Sequence, residues 1–193
     1  VEYIREMEKR GISIHDIAQS INFGFNVGNV FFIEIAKLRA AREVWANIMK
    51  AFGAKEADRS CRIHSRPAYF YRTIFDAGVN MLRNTTAMFS AVVGGVDTYE
   101  NEPYDETVRK GDEFSRRIAR NAHIILQEEF GMLRPIDPAG GSWALEHLTK
   151  EMAGKIWKEF QKIESMGGFT KALEAEYPQE QILDILKQRF KAL

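Results

Sequence analysis

The sequence predicts an α/β fold made of parallel βα units, and three observations carry that prediction. From Ile21 to Glu129 the apolar pattern switches repeatedly between short β-prone runs and long runs of helical period. The helical runs stop at glycines, Gly53 after the first and Gly94-Gly95 after the second, where helix C-termini favour them. The strand candidates are separated by helices, the common crossover between parallel neighbours. Such units admit two closures, a small open sheet or part of an eight-stranded barrel.

The elements follow in order. The opening residues, VEYIREMEKRG, have the pattern of the end of a helix, and the chain reads as a segment of something longer. The first strand candidate is Ile21–Phe25, with a turn at Asn26–Asn29 and then a helix from about Val30 to Phe52 that aligns Phe31, Ile35, Leu38, Arg42 and Trp45. The second strand candidate, Cys61–Ser65, follows the charged loop Lys55–Arg59. After it Arg66–Asp76, rich in aromatics, reads as a long loop. A helix over about Gly78–Val93 offers Met81, Leu82, Thr85, Met88, Phe89 and Val92 as its apolar stripe. The third strand candidate is Val96–Tyr99, followed by the acidic loop Glu100–Glu106 and a helix from Asp112 to about Glu129. There Ile118, Ala122, Ile125 and Leu126 face inward and Arg116, Arg117 and Arg120 spread over the outside. Ser142 is placed to cap a helix reaching about Met166, its hydroxyl accepting from a first-turn N–H. Gly167-Gly168 ends that helix, and Phe169–Leu193 forms one or two short helices with Pro178 at their junction.

Composition excludes several function classes. With 193 residues, 45% of them hydrophobic, the chain can bury a substantial core. Lys plus Arg and Asp plus Glu both total 27, so no basic excess exists to neutralise a nucleic-acid backbone or an anionic membrane. No nucleic acid and no membrane is expected among its partners. The apolar stretches fall short of the ~20 residues a membrane-spanning helix needs. The single cysteine, Cys61, allows no internal disulfide, and a reducing, cytoplasmic location is expected.

One run is distinctive: FSRRIARNAHIILQEEFGMLRPIDPAGGS, Phe114–Ser142, in which a basic amphipathic helix leads into an Asp-Pro-Ala-Gly-Gly-Ser loop. With FFIEIAKLRAAREVW upstream (Phe31–Trp45) and IESMGGFTKALE downstream (Ile163–Glu174), the order of segments resembles the acyl-CoA-binding barrel domain of adenosylcobalamin-dependent methylmalonyl-CoA mutases. The resemblance runs from about Ile14 to Glu174. It implies the C-terminal part of a (β/α)₈ TIM-type barrel, about three βα units, followed by C-terminal helices: a partial barrel domain over 1–165 and a helical extension over 166–193. A three-stranded piece of such a barrel would carry unpaired edges and an uncovered face.

In a barrel of this kind ligands meet the loops at the strands' C-terminal ends, here Asn22–Asn29, Ser65–Asp76 and Glu100–Glu106. The family positions that hold the coenzyme A tail, an Arg, a Ser and a Phe, fall on Ser20, Asn22 and Gly24. Ser20 supplies no fixed charge or donor fork for phosphate, so the grip on CoA is expected to be lost, with Ser20 and Asn22 left to hydrogen-bond the strand end. The family's His-x-Gln-Thr-Ser-Gly-Trp run falls on His64–Phe70, where Arg66 replaces the Gln and Tyr69 the small Gly. Two roles are open to Arg66: anion binding, or an ion pair with Glu100, Glu102 or Glu106 that plugs the cavity. The plug is the expectation, because Arg66, Tyr69 and Tyr71 add bulk. His64 stands at the family's His and is read as a satisfied core residue rather than a ligand.

After the third strand, the family's adenosyl-contacting Asn and Glu fall on Glu102 and Glu106, and Glu100 replaces a His. This acidic run is read as a solvated loop paired with Arg66 or Arg109, against the alternative of an acid/base or metal site; no His or Cys stands beside it at ligand spacing. The Asp137–Ser142 loop is explained by turn and cap geometry. Arg116, Arg117 and Arg120 are read as an exposed face or a subunit contact rather than a phosphate site.

The cobalamin signature Asp-x-His-x-x-Gly is missing from this sequence, and radical rearrangement needs the cobalt cofactor and an enclosing cavity. The resemblance therefore implies a segment without catalytic residues of its own, most like the noncatalytic small subunit. On that reading it supports a catalytic mutase subunit that carries the cobalamin domain, and it meets adenosylcobalamin and acyl-CoA only through the complex. Two alternatives remain: a segment of the catalytic subunit of a divergent acyl-CoA mutase, and a protein-binding scaffold with no enzymatic part.

Overall fold

The computed structural model of the chain describes residues 1–132 and 134–191. Two short helices, α1 (Glu2–Lys9) and α2 (Ile14–Ser20), precede strand β1 (Phe23–Val27). The long helix α3 (Phe31–Ala51) leads to β2 (Ile63–Pro67), α4 (Asn80–Val93) to β3 (Thr98–Tyr99), and α5 (Glu113–Ile124) runs into a π-helical turn over Ile125–Glu129. Then come α6 (Trp143–Ser165), α7 (Phe169–Glu174) and α8 (Tyr177–Lys191). The three strands form one parallel sheet in the order β1-β2-β3, with Gly24 opposite His64, Asn26 opposite Arg66 and Ser65 opposite Tyr99. The fold is mixed α/β, mostly helical, with a parallel three-stranded sheet as in part of a TIM-type barrel.

The core lies on one face of this sheet. Val27 and Ile63 point into it and meet Leu38, Trp45 and Met49 of α3 and Ala87 and Ala91 of α4, with Ile4 and Ile17 closing the end near the strands' N-termini. Helix α6 packs on the outside of α3 through Ala40, Val44 and Ala153. A clasp ties the two helices together. Arg39 donates from Nε and Nη2 to Asp137 at 3.1 and 2.8 Å, from Nη2 to Glu146 at 2.8 Å, and from Nη1 to Thr149 at 3.1 Å. The alternate residues on the other sheet face, Gly24, Asn26, His64, Arg66 and Thr98, are exposed.

Strand starts differ from the sequence expectation by two residues, for reasons visible in the backbone. Helix α2, which the hydrophobic pattern did not mark, is capped by Ser13, whose Oγ accepts from Asp16 N at 3.2 Å. Ile21 N still donates to Ile17 O, so that residue ends the helix instead of opening β1. Val96 N is held by Ala91 O at the end of α4, and sheet pairing begins only where Asp97 N donates to Ile63 O.

The expected apolar stripe of α4 holds at Met88 but not along most of its length. Its buried residues are Asn80, Asn84, Ala87, Met88, Ser90 and Ala91, while Met81, Leu82 and Phe89 are exposed. Small residues let the helix approach the sheet, and its first two turns face a polar loop that needs hydrogen-bond partners. Ile125, expected inside, is exposed as well. Ser142 is the N-cap of α6 but makes no side-chain cap bond; Glu146 reaches back instead and accepts from Gly141 N at 3.1 Å. Pro178 sits inside the first turn of α8, where its missing N–H is harmless, and the break before that helix falls at Glu176, with φ 58°.

Candidate functional site

The loops at the strands' C-terminal ends are fastened together by a buried polar cluster. Arg72, with 1% of its side chain exposed, is ion-paired with Glu102, itself 10% exposed. Its guanidinium also lies 3.7 Å from the centre of the Tyr69 ring, an attractive geometry for a desolvated cation. Tyr99 stands beside this pair. Burial, and then the negative charge of Glu102, push its hydroxyl far above the usual phenol range, so it stays protonated.

The polar face of α4 binds both loops. Asn80 Nδ2 donates to Thr73 O at 2.9 Å and to Tyr104 O at 3.1 Å, while its Oδ1 accepts from Thr73 N at 3.0 Å. Asn84 Nδ2 donates to Glu102 O at 2.8 Å. Asp105, 3% exposed at its side chain, accepts from Arg109 Nε at 2.8 Å, and Glu106 accepts from Gly111 N at 3.2 Å. Gly28 is required at the first loop, since a Cβ there would stand 2.5 Å from the Tyr71 ring.

The residues singled out from sequence do not form one constellation. Gly24, His64 and Arg66 share the exposed sheet face. His64 Nδ1 lies 2.9 Å from Thr98 Oγ1, so His64 is a surface residue bonded to its neighbour strand and not a core residue. Ser20 and Asn22 are at the opposite end of the sheet from the loops: Ser20 is the last residue of α2, its Oγ donating to Asp16 O at 2.8 Å, and Asn22 precedes β1. The expected pairing of Arg66 with the acidic loop is corrected. Arg66 Nε donates to Asn26 Oδ1 at 3.2 Å, and the cation that meets Glu102 is Arg72. Residue parity explains this, because Arg66 shares the bare face with His64 while the chain turns after Pro67 and carries Arg72 to the helix side. The acidic loop is solvated only in part: Glu100 is exposed, whereas Glu102 and Asp105 are buried, and Asp105 meets Arg109 as expected.

Sequence reading missed Arg72, Asn80 and Asn84. The one signal for them was asparagine at i and i+4 on a helix, which marks a face as polar inside when a loop packs on it. Among the described residues no group of three His, Cys, Asp or Glu is placed to hold a metal ion, and no helix is long and apolar enough to cross a membrane.

The sequence itself has relatives among known proteins. A sequence profile described as methylmalonyl-CoA mutase matches residues 1–193. The chain belongs to the methylmalonyl-CoA mutase family. It is 39% identical over 175 residues to the methylmalonyl-CoA mutase small subunit of Porphyromonas gingivalis, covering 90% of this chain and 28% of that protein. It is 40% identical over 177 residues to the small subunit of Propionibacterium freudenreichii subsp. shermanii, covering 91% of this chain and 28% of the relative. The large subunit from the same organism is 37% identical over 183 residues, covering 94% of this chain and 25% of that protein. The chain thus spans less than a third of the length of these relatives, and identity separates small from large subunits by only a few per cent.

Proposed function

We propose that this chain is a segment of a cytoplasmic methylmalonyl-CoA mutase of the noncatalytic small-subunit kind, whose role is to pack against and stabilise a catalytic chain bearing the cobalamin domain. The mutase itself rearranges the carbon skeleton of methylmalonyl-CoA and succinyl-CoA. The observation that carries this reading is the Arg72–Glu102 pair. In the family pattern the positions of Glu102 and Glu106 meet the adenosyl group of the cofactor. Here the Glu102 carboxylate is buried against Arg72 and that of Glu106 closes its own loop on Gly111 N. A carboxylate already desolvated against a guanidinium gains little from a ribose hydroxyl and loses much if the pair is broken. These residues do not fit adenosylcobalamin. The CoA positions point the same way, since Ser20 is bonded within its own helix.

A second reading has one observation in its favour. Among the described residues Arg66 has no carboxylate partner and lies exposed beside Asn26. A cation placed so on the face that a barrel turns inward suits an anionic acyl group, as a divergent catalytic segment would need.

The experiment that separates them is isothermal titration of the full-length protein, demonstrated to be folded, with methylmalonyl-CoA and separately with adenosylcobalamin, alongside co-purification with a catalytic mutase chain. The small-subunit reading expects no saturable heat from either ligand and a stoichiometric complex with the catalytic chain. Saturable acyl-CoA binding that Arg66→Ala abolishes would replace it with the second reading. Failure of both ligand binding and complex formation would sink both.

A further inference from the structure

The loop after β3 is fixed to α4 by more than the asparagine bond to Glu102 O. A cavity of about 20 Å³ lies between α4, α5 and this loop, lined by Met81, Asn84, Asn101, Glu102, Ile118 and Ala119 among others. That volume is room for one water and nothing larger. Two of its lining side chains bring acceptors that nothing in the protein meets. Asn84 Nδ2 donates to Glu102 O at 2.8 Å and Asn101 Nδ2 donates to Ala119 O at 3.1 Å. Both bonds run to carbonyls, which only accept, so each amide is fixed with its NH₂ toward the backbone and its oxygen left over. Asn84 Oδ1 and Asn101 Oδ1 are both shut off from solvent and without a protein partner. Native interiors seldom leave such oxygens unmet.

We infer that Asn84 and Asn101 form a binding site for a single internal water, which donates one hydrogen to each Oδ1 and bridges α4 to the loop after β3. The chemistry of the cavity selects a neutral donor. Its one charged lining group, the Glu102 carboxylate, is matched by Arg72, so no net charge is left to hold a cation. The two oxygens, one for each hydrogen of the water, meet the minimum of two polar partners that a buried water needs. The bridge joins residues 17 positions apart and adds a second tie to the segment that presents Glu102 to Arg72. Its consequence is a loop held in one conformation rather than one free to open. The inference does not depend on the small-subunit reading.

The test is a high-resolution crystal structure of the full-length protein. A single peak at about 2.5–3.0 Å from both Asn84 Oδ1 and Asn101 Oδ1 is the expected result. A continuous absence of density there, or the two amides turned to bond each other, would overturn the site. An anomalous peak at the same position in a crystal soaked in rubidium chloride would overturn water in favour of a monovalent cation. A thermal-denaturation cycle of Asn84→Ala, Asn101→Ala and the double variant reads the bridge independently. The drop in Tm of the double variant is expected to be smaller than the sum of the single drops, because either substitution alone loses the shared water. Strict additivity would overturn the bridging role.

Discussion

The two faces of the three-stranded sheet are built from alternating residues of the same short strands, yet they live under different physics. On the helix side, Val27, Ile63 and Ser65 are buried beneath α3 and α4, and Arg72 and Glu102 form a desolvated ion pair. On the other side Gly24, Asn26, His64, Arg66 and Thr98 are exposed and joined only by single hydrogen bonds between neighbouring strands. The contrast teaches that an arginine's position in the sequence says little about its energetic weight. Arg66 and Arg72 are six residues apart; one lies in water and the other has lost nearly all of it.

The largest effect that would test this contrast is Arg72→Ala, which leaves Glu102 buried without its counter-charge. A loss of about 3–5 kcal/mol is expected for breaking a buried pair, read as a shift in the urea midpoint. The same two positions as Arg72→Met with Glu102→Leu should recover much of it, and a single substitution costing under about 1 kcal/mol would mean that the pair is solvated. Leu38→Ala, in the apolar part of the same face, is expected to cost about 2–5 kcal/mol by the same measurement, since it opens a cavity where α3 meets the strands.

Titration gives a smaller effect. Burial holds the His123 imidazole below its usual value. A lowered folded pKa favours the neutral ring, so its contribution is fully present above the ordinary value of 6.5 and is lost as pH falls through the lowered one. Denaturation midpoints between pH 8 and pH 5 should decline at the acid end in the parent and flatten in His123→Gln. The clasp on the outer helices titrates lower still. The hydrogen bond from Arg39 holds the Glu146 carboxylate below 4.5, so this stability is present above that value and is lost as pH falls further. High salt should weaken it, since Asp137 and Glu146 are half-exposed. The smallest effects belong to the bare face: His64→Ala and Arg66→Ala are expected to change stability by no more than about 0.5 kcal/mol. A large loss from either would show that this face is covered in the protein tested, which would break the contrast directly.

Burial also explains a reactivity difference. Cys61 lies against the core, and its thiol is pushed up to about 11 mainly by desolvation. It should resist iodoacetamide at neutral pH until the chain is unfolded.

Legibility followed the range of the interactions. Helix α3 was readable because its pattern is long, its end is marked by Gly53 with φ 77°, and Ile35, Leu38 and Trp45 do face inward. Helix α4 was readable as a helix but not in its orientation. Met88 is buried as its apolarity predicts, but Leu82 and Phe89 are exposed while the polar Asn80 and Asn84 lie inside. The acidic loop was recognised as a cluster needing a cation, with Arg66 or Arg109 expected to supply it; Arg109 does meet Asp105, but Glu102 meets Arg72 and not Arg66.

By itself the sequence determined the order of the βα units, the places where helices stop, and family membership, because local periodicity, glycine and cap chemistry act within a few residues and the motif segments lie in order along the chain. Tertiary structure decided which of two arginines meets Glu102, which face of α4 is buried, and that Ser20 and Asn22 lie at the far end of the sheet from the loops. Those outcomes depend on strand register and parity, where a shift of one residue exchanges the two faces, and no local pattern in this chain fixes that shift.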